Sequence, residues 1–553
     1  MKIKDFMYKT FGYTKPKEYQ FTLEPDSDSK YSTSTQNSKK IPEKPQNVYK
    51  NINENLNFIE VKYNTLISSD VITRKFLLNC NGKQYKAFVL YIDGMVDTQT
   101  LNDFVLKPLM IKNLSTISTK SLNTEDNPDF LNLANYIESC LIPQNSIKQQ
   151  TAFSDIFNGV NSGNCALFVD SLNIAFDIDV KGFKQRGISK PENEIVIKGS
   201  HEAFVENLRT NTSFLRRLTN NENLVVENIK IGKITKTNCA VCYIKSIAND
   251  DLVAEAKYRL NNLKVDSLLS AGELEQLLTD TNFLGIPKIL VSERPDNAVK
   301  SLLQGRVVVI VNGSPYALIL PAVLIDFLTS PEDTNLKTIF ANFLKIIRII
   351  SAFLALFLPG LYIAITSFHR EIIPTELLFS ILSSRQSVPF PIVLEIVIME
   401  ISFEIIREAG LRVPAPIGPT LGIIGALVLG QAAVSAGIVS PILIIIVAIT
   451  GISSFAIPDF SFSFHLRFFR FVFVILGFLA GFLGIGVGIF VYLTAICDLE
   501  SFGVPYTSPY APATNPKGNN FLLSPIWKRE YRAPYWSSKK EKRQSKISMK
   551  WRY

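Results

Sequence analysis

Phe471-Val-Phe-Val-Ile-Leu-Gly-Phe-Leu-Ala-Gly-Phe-Leu-Gly-Ile-Gly-Val-Gly-Ile-Phe-Val-Tyr-Leu-Thr-Ala-Ile-Cys497 runs for 27 residues without a charged side chain. A bilayer core of about 30 Å takes about 20 apolar helical residues to cross. Two more charge-free pieces precede this one, Ile349–Phe368 with 20 residues and Val413–Pro458 with 46. The first and last pieces are each long enough to cross once, and the middle one twice. The pattern is that of an integral membrane protein.

Between the first two pieces lies Val388–Ala409, an apolar helical pattern interrupted by Glu395, Glu400, Glu404, Arg407 and Glu408. At about 100° per residue the last four share roughly a third of the helix circumference, and Glu395 points elsewhere. A charge at bilayer depth costs at least ~2.5–3.5 kcal/mol, so this face meets protein, water or headgroups rather than lipid tails. Two readings stand. The helix lies in the interface or uses an internal Glu404–Arg407 pair to join helices, or its carboxylates line a cation path.

Small residues recur on two of the apolar pieces: Gly418, Gly422, Ala426 and Gly430, then Gly477, Gly481, Gly484 and Gly488. In lipid such stripes let helix backbones approach closely, so both are expected to be packing faces, within a subunit or between subunits. Pro359-Gly360 should bend the first crossing, and Gly437 to Pro441 marks a break in the middle piece. Counting 349–368, 388–409, 419–436, 438–456 and 471–497 gives five crossings. An odd number puts the amino-terminal part and the carboxyl-terminal tail on opposite sides. Both carry cytoplasmic signals, so four to five membrane segments are expected, one of them not spanning fully.

The whole chain carries a net charge of +9, unevenly spread. Residues 1–336 hold 38 basic and 38 acidic side chains, leaving no electrostatic footprint for nucleic acid. Residues 498–553 hold 11 basic against 4 acidic, as the positive-inside rule asks of a cytoplasmic tail that could also touch anionic lipid. Six scattered cysteines do not make a disulfide framework. Cys239-Ala-Val-Cys242 has the spacing of a zinc half-site, but it lacks a second pair and sits in a strand-like run, so buried thiols are expected. Met1–Gln20 is polar, without the apolar core of a secretory signal, which puts the large amino-terminal part in the cytoplasm.

Five regions follow: a disordered polar arm (1–50), a small α/β subdomain (51–150), a second α/β subdomain with a mixed sheet (151–333), a helical membrane domain (334–500) and a basic tail (501–553). In the second subdomain a strand is expected over Glu194–Lys198 and a helix from about His201. Gly199-Ser200 before that helix is either a plain capped start or an anion site with Arg216 and Arg217 nearby. Glu293-Arg294-Pro295-Asp296 follows a strand and opens a helix, where its charges lock an interface or cap the helix. His201, His369 and His465 are far apart, and no nucleophile, metal or nucleotide motif is present. The chain reads as a non-enzyme without cofactor or metal.

Several of these stretches resemble one known family. Ile188–Arg217 (ISKPENEIVIKGSHEAFVENLRTNTSFLRR), Ser292-Glu-Arg-Pro-Asp296, Gly305-Arg306 and Ser330-Pro-Glu-Asp333 resemble the A-type subunit of GerA-family spore germination receptors. So do Val388-Pro-Phe-Pro391, Glu404-Ile-Ile-Arg-Glu-Ala-Gly410, Gly430-Gln-Ala-Ala-Val434 and Gly437-Ile-Val-Ser-Pro441. The resemblance covers about residues 51 to 510. It implies a subunit in the inner membrane of a dormant spore, with the soluble domains on the core side. Its partners would be a multi-spanning B-type subunit that holds the nutrient and a lipoprotein C-type subunit. It further implies a homo-oligomeric ring that conducts monovalent cations when nutrient binds. Glu400, Glu404 and Glu408 would then line or gate the path beside Arg407, with Gln431 a further candidate.

Overall fold

The computed structural model describes residues 21, 23, 47–80, 83–111, 133–182, 190–279, 284–412, 430–513, 522–545 and 549. The amino-terminal half forms two subdomains, each built on a five-stranded sheet. In the first, β1 (Val71–Cys80), β2 (Lys83–Ile92), β3 (Ile147–Gln150), β4 (Cys165–Val169) and β5 (Ala175–Ile178) assemble in the order β1-β2-β4-β5-β3. Helices α1 (Ile52–Tyr63) and α2 (Phe153–Asn161) cover one face. The other face packs against a helical stretch, 98–110, that contains a π-turn over Leu101–Leu106.

The second sheet, β6-β7-β9-β10-β8, comprises β6 (Leu224–Ile231), β7 (Thr237–Ile244), β8 (Leu290–Ser292), β9 (Val307–Val311) and β10 (Ala317–Leu320). Helices α3 (Leu208–Thr219) and α6 (Pro295–Leu302) lie on one side, α4 (Asp250–Asn261) and α5 (Ala271–Leu278) on the other. β9 and β10 read Val-Val-Val-Ile-Val and Ala-Leu-Ile-Leu, apolar throughout because both faces are covered.

Several sequence expectations change here. The expected boundary at residue 150 would cut the first sheet, because β3 pairs with β5 and β4 pairs with β2 across it. Both sheets are antiparallel at every pairing rather than mixed, since several neighbouring strands are joined by short hairpins. Glu194–Lys198 forms no strand, and the helix expected at His201 starts at Leu208 under an Asn207 cap. Of the arm expected to be disordered, Leu23 is buried in the core of the second subdomain and bonds to Gly503. Cys239 and Cys242 are three apart on β7, so period-two alternation puts them in the cores on opposite faces of the sheet. They cannot share a metal ion.

The membrane-type part starts at α7 (Thr338–Phe368) and continues with α8 (Thr375–Arg385), α9 (Ile392–Arg412), α10 (Pro441–Phe455) and α11 (Phe460–Cys497). Among the described residues, α7 and α11 are apolar and long enough to cross a bilayer. α11 does not run straight. Ala480 and Gly481 leave helical geometry, Gly481 at φ +58 and ψ −137, and the chain folds back on itself. A methyl group on Gly484 would collide with the Leu476 carbonyl, and one on Gly488 with the Leu476 side chain. Tyr492 packs against Phe469 and Phe473. The final apolar piece is therefore a helical hairpin with its tip at Gly481, not a single crossing.

The tip lies beside Phe368 and His369 at the far end of α7, and the His369 ring stacks on Phe482 at 4.7 Å between centroids. From the start of α11 to its tip is about 30 Å at 1.5 Å per residue. The returning arm brings the chain back to the second subdomain. There the Ser501 hydroxyl donates to the Lys288 carbonyl at 2.6 Å and Phe502, Val504 and Trp536 join the soluble core. The guanidinium of Arg306 sits 3.9 Å from the centre of the Trp536 ring. The amino-terminal head and the carboxyl-terminal tail thus pack together at the same end of the described helices.

Candidate functional site

Helix α9 runs antiparallel to the outgoing arm of α11: Glu400 meets Arg470, and Glu404, one turn on, meets Arg467. Each carboxylate singled out in the sequence has a distinct setting. Glu395 is fully buried near the distal end. Its carboxylate accepts from the Arg385 guanidinium at 3.1 Å and from the Ser440 backbone N–H at 3.1 Å. It thereby ties the end of α8 to the break before α10, where Gly437 takes φ +65.

Glu400 is 2% exposed and its Oε2 lies 2.8 Å from Nη2 of Arg470, itself nearly as buried. Glu400 Oε1 and Arg470 Nε have no hydrogen-bond partner among the described residues. Glu404 is about a third exposed. Its Oε1 accepts from Arg467 Nη1 at 2.7 Å, and it also pairs with Arg407 on its own helix. Arg407 in turn lies over the Phe455 ring at 5.4 Å. Glu408, at the soluble-domain end, is exposed.

The arrangement corrects the expectation for Glu400. A carboxylate sealed against an arginine of the same chain is neutralised and cannot line water. Glu404 and Glu408 remain on an accessible face. Gln431 is also exposed, but it follows Gly430, whose ideal Cβ lies 3.7 Å from Ile444 near the start of α10, away from the proximal carboxylates. Arg467 and Arg470, just ahead of the last apolar piece, are functional-site partners absent from the sequence reading. Their three-residue spacing, matching the four-residue spacing of Glu400 and Glu404 on a facing helix, is the signal that could have paired them.

The glycines of the last piece pack within this chain. An added Cβ at Gly477 would come 2.6 Å from the Gly360 carbonyl oxygen on α7, so these two helices touch backbone to backbone. Gly484 and Gly488 face the outgoing arm of their own hairpin. Gly418, Gly422 and Ala426 lie outside the described residues.

In the soluble head, Arg216 spans the seam between the subdomains. Its Nε and Nη2 donate to the two oxygens of Asp70 at 2.7 and 2.8 Å, both side chains buried. Arg217 pairs with Glu202 instead. The residues at 292–296 clamp the extended segment before α3. Glu293 Oε1 accepts from the Asn193 and Glu194 N–H groups at 2.6 and 2.7 Å, and Glu194 Oε2 accepts from the Ser292 hydroxyl and the Glu293 N–H. Arg294 donates to the Glu194 and Ser200 carbonyls and to Asp296. With the helix beginning at Leu208, and the Ser200 carbonyl held by Arg294, Gly199-Ser200 is no anion site. Burial pushes the Glu194 carboxyl up to about 7. Asp333 reaches the membrane part, accepting from Arg348 on α7 at 2.6 Å.

A profile described as "Bacillus/Clostridium GerA spore germination protein" matches residues 57–542. Spore germination protein KA of Bacillus subtilis is 38% identical over 486 residues, 88% of this chain and 87% of that protein. A protein of the same organism named as the membrane protein YfkQ is 34% identical over 469 residues, 85% of this chain and 86% of its own. Among solved structures, the N-terminal domain of the A subunit of the Bacillus megaterium spore germinant receptor GerK3 aligns with 28% identity and a TM-score of 0.37. That alignment covers 51% of this chain and 98% of the crystallised one.

Proposed function

This chain belongs to the GerA family of spore germination proteins, and from that premise we propose that it is the non-enzymatic A-type membrane subunit of a nutrient-responsive germination receptor. It sits in the spore inner membrane with its soluble head toward the core. It works with a B-type subunit that holds nutrient and a C-type lipoprotein, and copies of it form a ring that passes monovalent cations when nutrient binds. The observation that carries conduction is the position of Glu404 and Glu408 on α9. Glu404 stays partly open to the outside of the lone chain although Arg467 and Arg407 reach it, and Glu408 is exposed a turn further on. Carboxylates on an outward face at the edge of an apolar layer are tolerable where neighbouring copies enclose water around them.

A second reading has its own support. Glu395 and Glu400 are neutralised inside the chain, and the tail is strapped to the head. Those features suit a rigid adaptor that transmits nutrient binding without conducting. Reconstituting the purified full-length protein in liposomes and recording potassium or sodium efflux separates the two. Flux above that of protein-free vesicles is expected for a channel. Its absence from vesicles that also hold the B-type and C-type subunits and nutrient would leave the adaptor.

A further inference from the structure

A cavity of about 1300 Å³ opens where the second subdomain, the start of α7, the turn before α11 and the carboxyl-terminal tail converge. Its cations come from three separate parts of the chain. Lys300 projects from α6, Lys345 and Arg348 from the first turns of α7, and Arg529 and Arg543 from the tail. Arg306 is also in the lining, but Asp326 takes its guanidinium in a bidentate pair at 2.8 and 2.9 Å. Arg348 is likewise held by Asp333.

No carboxylate of the described residues forms an ion pair with Lys300, Arg529 or Arg543; the Arg529 Nε is spent on the Ser524 carbonyl. The two carboxylates near this basic group, Asp326 and Asp333, are thus already matched. The remaining acids of the lining are Glu194, Glu275, Glu293 and Asp459. Glu293 accepts from the Asn193 and Glu194 N–H groups, Glu194 accepts from the Ser292 hydroxyl and the Glu293 N–H, and the Glu275 carboxyl is raised by burial and by Asp459. The basic group repels itself as expected: burial and the neighbouring Arg306 lower the Lys300 pKa to about 8, and Arg543 adds to the lowering at Arg529. Like charges gathered in a shared cavity are stabilised by an anion that bridges them.

The geometry points to a binding site for a phosphate-bearing anion in this cavity, held by Lys300, Arg529 and Arg543 with Lys345 at its membrane-side wall. Guanidinium groups offer forked donors that match phosphate oxygens, and the ammonium group supplies a point charge. The cavity opens beside the first turns of α7, so two sources fit the same chemistry, an anionic lipid headgroup at the bilayer edge and a free phosphate compound in the cytoplasm. The site does not depend on conduction, since its cations lie on the soluble side of the paired carboxylates of α9.

The test uses the full-length detergent-purified chain. Two probes are titrated separately, inorganic pyrophosphate and nanodiscs containing 30% phosphatidylglycerol in phosphatidylcholine, with pure phosphatidylcholine discs as reference. Thermal stability and binding are read for the native chain, Lys300→Gln, Arg543→Gln and Lys539→Gln. Lys539 pairs with Asp250 outside the cavity and serves as control. Arg543 is exposed, so its variant keeps the test alive should Lys300→Gln fold poorly. Binding of either probe, weakened at least fivefold in Arg543→Gln and unchanged in Lys539→Gln, supports the site. A response to the lipid discs alone names the headgroup as source, and a response to pyrophosphate names free phosphate. No response to either probe, or equal weakening in the Lys539 control, overturns it.

Discussion

The His465 imidazole Nε2 and the Tyr492 hydroxyl lie 2.8 Å apart although 27 residues separate them along what would otherwise be one helix. A straight helix would hold them about 40 Å apart. Their contact is possible because Gly481 takes a backbone conformation that L side chains rarely adopt and turns the helix through a hairpin. This fold-back makes the last apolar piece go out and return rather than run straight. Spin labels at Phe468 and Val491, both exposed, should report a separation below about 20 Å in lipid nanodiscs, against about 35 Å for an unbroken helix. A distance near the larger value would remove the hairpin.

The backbone contact between Gly360 and Gly477 leaves no room for a side chain, whereas Gly486 faces open space. Gly477→Leu is expected to cost about 1–3 kcal/mol through overpacking. Gly486→Ala should stay within about 1 kcal/mol of the native chain, helped by the higher helix propensity of alanine. Thermal unfolding in the same detergent checks the contrast. Equal behaviour of the two variants would mean the helices do not meet there.

Asp70→Asn should destabilise the soluble head by about 3–5 kcal/mol, because it leaves the Arg216 guanidinium buried without its counter-charge at the seam. Replacing both partners by apolar residues, Asp70→Leu with Arg216→Met, should recover most of that loss. Denaturant unfolding of the full chain followed by the head's far-ultraviolet signal gives the comparison.

Glu400 and Glu404 should separate in function. Glu400→Gln removes the partner of buried Arg470 and is expected to lower stability, with the exchange Glu400→Arg, Arg470→Glu restoring part of it. Glu404→Gln combined with Glu408→Gln is expected to lower cation flux at least tenfold while protein yield stays near native. Flux unchanged in that double variant would exclude these two carboxylates from any path.

Stability should depend on pH through the groups around the cavity. Burial raises the Glu194 and Glu275 carboxyls to about 7, so the folded chain binds more protons than the unfolded one from about pH 4.5 to 7. Stability therefore falls as pH rises through that window. Lys300, lowered to about 8, makes the folded chain bind fewer protons from about pH 8 to 10.5, so stability rises again there. Melting temperature across pH 5 to 9.5 should show a shallow minimum between these windows, and Glu194→Gln should flatten its acid limb.

The sequence by itself determined the solvent of each part. Three charge-free pieces require lipid or a buried core, the neutral stretch before them alternates at strand and helix periods, and the acidic helix stands out because its charges share one face. Those are local properties, set within a few turns of chain. Tertiary structure decided the rest. Whether Glu400 faces water or Arg470, and whether Gly477 meets a copy or Gly360, depends on which distant surfaces come together. Even the hairpin at Gly481 was hidden, because a glycine in an apolar helix reads the same whether it lets a neighbour approach or lets the chain turn back. The first sheet crossed the expected boundary for the same reason: strand pairing between β2 and β4 joins residues about 80 apart, and no local signal records it.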